Sequence, residues 1–231
     1  YDLTQQALWT LLMVVNLAAY PVAVAAKERD DPVAFDQACR RHLTVLLALA
    51  MPATIGLVLL SGPIGRVVLG AEVGADAGRL IPVIAVAVFL GGIKAFYFDL
   101  SFQLGRSTLH QLWVALATAA LNLLLNLLWI PRLGGRGAAL ATLCAYAGGL
   151  TLSVMFGRRV LSLPIPFRAA GRLLLAGAVM GAVVWPLREV RSAWGLAAVS
   201  LAGAAVYGIM ILAANPLGVR GAVAARIGWR T

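Results

Sequence analysis

Seven runs of apolar residues recur along the chain, at roughly 3–26, 43–61, 80–104, 112–130, 138–156, 173–187 and 194–214, the sixth being the shortest. A stretch of about 18 or more such residues, rising about 1.5 Å per residue in a helix, crosses a hydrocarbon core of roughly 30 Å. The rest of the composition agrees. Apolar residues make up 61% of the 231 positions and charged residues only 12%, about half the charged share of an ordinary soluble domain. The expected fold class is all-α, a polytopic transmembrane helix bundle of about seven spans.

Connections between the runs are short and carry turn chemistry, as in "PRLGGRG" (Pro131 to Gly137) and "LPIPF" (Leu163 to Phe167). The exception is "KERDDPVAFDQACRRHL", between the first two spans. There Asp31 suits a helix cap and Pro32 its first position, while Phe35, Cys39 and His42 share a face. An amphipathic segment near 27–42, lying on the membrane surface and leading into the second span, is expected. Pro52 predicts a kink in that second span. The chain opens almost directly on an apolar span, with no leader-like segment, and is read as part of something longer.

The net charge of +10 does not point to nucleic acid, because the Lys and Arg residues are scattered singly or in pairs, without a basic stripe. They sort by side of the membrane. Lys27, Arg29, Arg40, Arg41, Arg106, Arg158, Arg159, Arg168, Arg172, Arg220, Arg226 and Arg230 fall on one side, and Arg66, Arg79, Arg132, Arg136, Arg188 and Arg191 on the other. The richer side is expected to be cytoplasmic, which puts Tyr1 outside and Thr231 inside. Arg40 and Arg41 then read as membrane-surface charges, whereas Arg66 suits either a cavity or the outer headgroups. A retinal pigment would need a lysine in the last span, and "LAAVSLAGAAVYGIMILAA" has none.

Of the Lys and Arg residues, only Lys94 lies within a span. Helical geometry puts it about 5 Å from the midplane and Asp99 about 12 Å. At about 100° per residue the two are separated by about 140° and do not form a neighbouring i,i+4 pair. Lys94 is expected to share a face with Tyr97, Phe98 and Ser101, and Asp99 with Ala95, Phe102 and Gln103. A charge at this depth costs about 2.5 to 3.5 kcal/mol. Lys94 therefore either lines a polar cavity and meets an anion, or snorkels to the headgroups; Asp99 suits an interfacial cap. Asn122 and Asn126, one turn apart in "LNLLLNLLWIP", either contact a sugar in a cavity or hold helices together. Gln5, Gln6 and Asn16 raise the same choice. Gly148 and Gly149 suit close helix packing.

Catalytic chemistry is not expected. No GxxxxGK[ST], HExxH, CxxC or GxSxG occurs, and no acidic pair recommends glycosyl transfer. His42 and His110 are far apart, and Cys39 and Cys144 match no metal spacing and read as small buried residues. Neither a cofactor nor a metal site is predicted, and transport is the function that remains.

The order of features over 1–159 resembles the second half of the polysaccharide exporter, or Wzx-type oligosaccharide flippase, family of the multidrug/oligosaccharidyl-lipid/polysaccharide superfamily. The resemblance rests on "YDLTQQALWTLLMVVNLAAYPVAVAAKERDD", on "RRHLTVLLALAMPATIGLVLLSGPIGRVVLG", on "QLGR" and, most specifically, on "NLLLNLLWIPRLGGRGAALAT". Residues 160–231 resemble the family only as two further apolar helices and a short tail. The resemblance implies the second lobe of a two-lobe flippase whose N-terminal lobe is absent from this chain, in a bacterial inner membrane. The substrate would be undecaprenyl-pyrophosphate-linked oligosaccharide, with polysaccharide polymerase machinery as a possible partner. Lys94 would then be an anion partner, Asn122 and Asn126 sugar contacts, and Tyr97, Ser101 and Asp99 neighbours in the substrate site. A cation-coupled drug exporter of the same superfamily would want acids deep in the bundle, where Asp99 is the only one. A nontransporting scaffold of a polysaccharide assembly complex would make the same residues packing features.

Overall fold

The computed structural model describes residues 2–190 and 192–216. Its elements are α1 (Asp2–Glu28), α2 (Pro32–Leu59), α3 (Ser61–Ile93), a π-helical turn (Lys94–Phe98), α4 (Leu100–Leu104), α5 (Thr108–Leu133), α6 (Gly135–Val160), α7 (Phe167–Leu187) and α8 (Ala193–Ala214). Seven helical stretches among these residues are long and apolar enough to cross a membrane, the third of them Gly78–Leu104. The chain is an all-α, multi-pass membrane protein. Tyr1, Arg191, Arg220, Arg226, Arg230 and Thr231, which enter the orientation count, lie outside the described residues.

Local sequence explains the ends of several helices. Asp31 caps α2 by accepting from the Val33 and Ala34 amides at 3.1 and 2.9 Å, and Pro32 stands at the first helical position, where a missing N–H costs nothing. Between the second and third spans the chain reverses at Gly70, whose φ of 81° favours glycine. The two arms of this turn close tightly: a Cβ on Gly65 would stand 2.2 Å from the Gly74 carbonyl oxygen.

From Pro32 onward the amphipathic segment runs directly into the second span. Residues 32–59 form one continuous helix, and the face expected to lie on lipid is turned into the bundle, with Cys39 and His42 fully buried. Packing supplies the reason: the His42 ring meets the Tyr97 ring edge-on, 6.0 Å between centroids. The sixth span is longer than its apolar run suggests, beginning at Phe167.

Around this frame, α2 packs against α1, α3, α7 and α8, and α3 against α1, α2 and α6. The core gathers Leu12, Leu46, Tyr97, Leu100 and Leu173, all almost inaccessible. On the far side of α6, α5 presents Leu109, Trp113, Leu123 and Leu127 outward, as a lipid-facing helix does. Between apolar helices in lipid there is little hydrophobic drive, so association depends on close packing and buried hydrogen bonds. The α3–α6 contact has both. Gly91 lies under the Tyr146 ring, Gly149 admits the Lys94 stem and the Thr118 side chain, and Gly157 admits Ser101.

Candidate functional site

The third membrane span changes its winding at Lys94. The Asp99 amide donates to the Lys94 carbonyl at 2.9 Å, an i→i+5 bond in place of the ordinary i→i+4. One residue is thereby added to the turn, and side chains five apart come to stand on one face. The Lys94 ammonium meets Asp99 Oδ2 at 2.8 Å, with the two side chains only 12% and 9% exposed. The expected separation of about 140° assumed a regular helix and does not hold here.

The second carboxylate oxygen is also engaged. Ser153 on α6 donates to Asp99 Oδ1 at 2.6 Å. Asp99 is buried, not solvated at an interface, and its neighbours are Lys94 and Ser153 in place of the expected Ala95, Phe102 and Gln103 grouping. The Lys94 stem crosses α6 at Gly149, where a Cβ would stand 3.1 Å from Lys94 Cε and 2.4 Å from Thr118 Oγ1. Thr118 in turn donates to the Val114 carbonyl at 2.7 Å. The result is a charged pair held between three helices at membrane depth.

Tyr97 and Ser101 do not join Lys94 in a common lining. Tyr97 is fully buried and donates to the Pro164 carbonyl in the 161–166 connector, while its ring packs edge-on against Phe98. Ser101 donates to the Phe98 carbonyl at 2.7 Å and faces Gly157. The π-helical turn divides these residues: Lys94 goes towards α5 and α6, Tyr97 towards α2 and the connector.

Asn122 and Asn126 bond to each other, Asn126 Nδ2 to Asn122 Oδ1 at 2.9 Å, on the α5 stripe that continues from Thr118. The Asn126 Oδ1 is buried without a partner, and so is Asn16 Oδ1. Of the two other polar residues singled out in the first span, Gln6 is exposed and Gln5 half-buried. Sequence reasoning missed Ser153, although Gly149, Ser153 and Gly157 recur every four residues and so mark one close-packing face of α6.

No family model and no curated protein matches the chain. A carboxylate bonded at both oxygens and an ammonium in contact with it form a locally neutral unit, which lowers the cost of holding two charges away from water. The unit is separable, because either partner regains a full charge when the other is neutralised or captured by a third ion.

Proposed function

We propose that the chain is the second half of a membrane transporter that flips lipid-linked oligosaccharide across a bacterial inner membrane for polysaccharide biosynthesis. The observation that carries the reading is the Lys94–Asp99 pair, buried within a membrane span and held at 2.8 Å by a widened turn. Ionisable residues at such depth are costly and mark ion or substrate pathways. In the unloaded state Asp99 neutralises Lys94. An anionic pyrophosphate group competes with the carboxylate for the ammonium, so that the charge is presented only when a substrate replaces its internal partner. Asn122 and Asn126 hold one another on α5, and the buried Asn126 oxygen, without a partner at present, is the acceptor that a sugar hydroxyl would reach once the lobes rock apart. Movement of substrate then follows from rocking of this bundle against a second lobe.

A cation-coupled exporter is the second reading, and the burial of Asp99 favours it. There, protonation of Asp99 releases Lys94, and the pair couples proton binding to the movement of α6 through Ser153. The two readings separate in one experiment on the complete protein. Lys94→Ala abolishes polymer export under the flippase reading, while Asp99→Asn retains substrate binding; under the coupled-exporter reading Asp99→Asn abolishes proton-driven transport. Normal export in Lys94→Ala, with the protein correctly inserted, would refute the flippase assignment.

A further inference from the structure

Two cavities at the arginine-rich end of the bundle share the side chain of Arg41. The first, about 710 Å³, opens where the beginnings of α2 and α7 approach one another, and Arg40, Arg41, Arg168 and Arg172 lie in its wall with no acidic residue among the lining groups. Arg40 is matched by Asp36 at 2.5 Å, and Arg172 leans on the Ala214 carbonyl at 3.1 Å. Arg41 and Arg168 have no partner among the described residues. The first turn of α7 has no side-chain cap and forms part of the same wall, adding the positive end of a helix. Guanidinium groups gathered in this way repel one another unless an anion lies between them.

The second cavity is a cleft of about 490 Å³ between α1 and α2, with walls of Val14, Ala18, Val22 and Val45 and with Arg41 and His42 among its lining. His42 is 1% exposed, and neither of its ring nitrogens has a hydrogen-bond partner. A buried imidazole left in that state is unusual, since buried polar groups are almost always satisfied. The ring stands behind the cleft wall, edge-on to Tyr97.

We infer that the two cavities together hold an anionic phospholipid: its phosphate on Arg41 and Arg168, and an acyl chain along the α1–α2 cleft. Charge complementarity selects the head, the apolar walls select the tail, and Arg41 stands at the junction. Basic pockets between membrane helices commonly take such headgroups. The inference rests on the cavities and is independent of the transport reading.

Native mass spectrometry of the complete protein, titrated separately with phosphatidylglycerol, phosphatidylcholine and inorganic pyrophosphate, tests it. Phosphatidylglycerol is expected to be retained at least tenfold better than phosphatidylcholine, and Arg41→Ala with Arg168→Ala to remove that preference. Both arginines are exposed, so the double variant leaves the fold intact. Ala18→Leu, which fills the cleft, is expected to lower phosphatidylglycerol retention severalfold without changing pyrophosphate binding. Equal retention of the two lipids, or an unchanged preference in the double arginine variant, overturns the inference. Pyrophosphate binding as tightly as phosphatidylglycerol, with Ala18→Leu silent, assigns the cavity to a free anion and overturns it as well.

Discussion

Lys94 and Asp99, five residues apart, form a 2.8 Å ion pair because the helix between them is π-wound and closes on an i→i+5 hydrogen bond. A regular helix would direct them to different neighbours. The pair and the widened turn are thus one feature, and its energetics follow from burial. Removing one member leaves the other charged and poorly solvated, which costs about 3–5 kcal/mol, whereas replacing both with apolar residues of similar volume is close to neutral. Lys94→Ala and Asp99→Ala are each expected to lower the unfolding free energy in mixed micelles by that amount. Lys94→Met combined with Asp99→Leu is expected to recover most of it, less about 1–2 kcal/mol for the orphaned Ser153 hydroxyl.

Ser153 is the only α6 side chain seen to bond the pair among the described residues, donating at 2.6 Å to the carboxylate. A hydrogen bond to a charged group contributes about 1.5–3 kcal/mol. Ser153→Ala is expected to destabilise the protein within that range, and Ser153→Thr by less if its hydroxyl keeps the bond. Paired with Asp99→Ala in a double-mutant cycle, the effect of Ser153→Ala should largely disappear.

Tyr97 ties the third span to the connector that begins the last two helices, through the bond from its hydroxyl to the Pro164 carbonyl. Tyr97→Phe keeps the ring packing against His42 and Phe98 but leaves the carbonyl of the half-buried Pro164 without its donor. A loss of about 1–3 kcal/mol is expected. Hydrogen exchange should show the change in the amides around 161–170 before it appears in α5.

Gly149 is where Lys94 crosses α6, and a Cβ there would stand 2.4 Å from Thr118 Oγ1. Gly149→Val is expected to cost about 1–3 kcal/mol through overpacking and to displace the Lys94 stem. Gly208 on α8 has open space where a Cβ would go. Gly208→Ala, measured under the same conditions, should be neutral or stabilising by a few tenths of a kcal/mol.

Much of the architecture follows from residues read one after another. The spans are legible because crossing a bilayer demands length and apolarity, and the start of α2 because Asp31 and Pro32 are local signals whose action needs no distant partner. What eludes linear reading depends on winding or on long-range approach. An angle of about 140° between Lys94 and Asp99 belongs to a regular helix, and nothing in "KAFYFD" announces an extra residue in the turn. The burial of Cys39 and His42, with Phe35 half-buried beside them, against the bundle and not the lipid depends on Tyr97 arriving there. Likewise, Arg40 and Arg41 stay exposed, but that they share a cavity wall with Arg168 and Arg172 follows only once residues 166–172 are folded beside them.

In the proposed transport cycle the Lys94 ammonium exchanges its internal carboxylate for a substrate anion. Flipping of a pyrophosphate-linked lipid by the complete protein, reconstituted in liposomes with Lys94→Ala, Lys94→Arg and the native residue at equal protein density, measures this most directly. At least a tenfold loss in Lys94→Ala with substantial retention in Lys94→Arg is predicted. Native-rate flipping by Lys94→Ala would contradict the account and leave the pair a purely structural tie between α3 and α6.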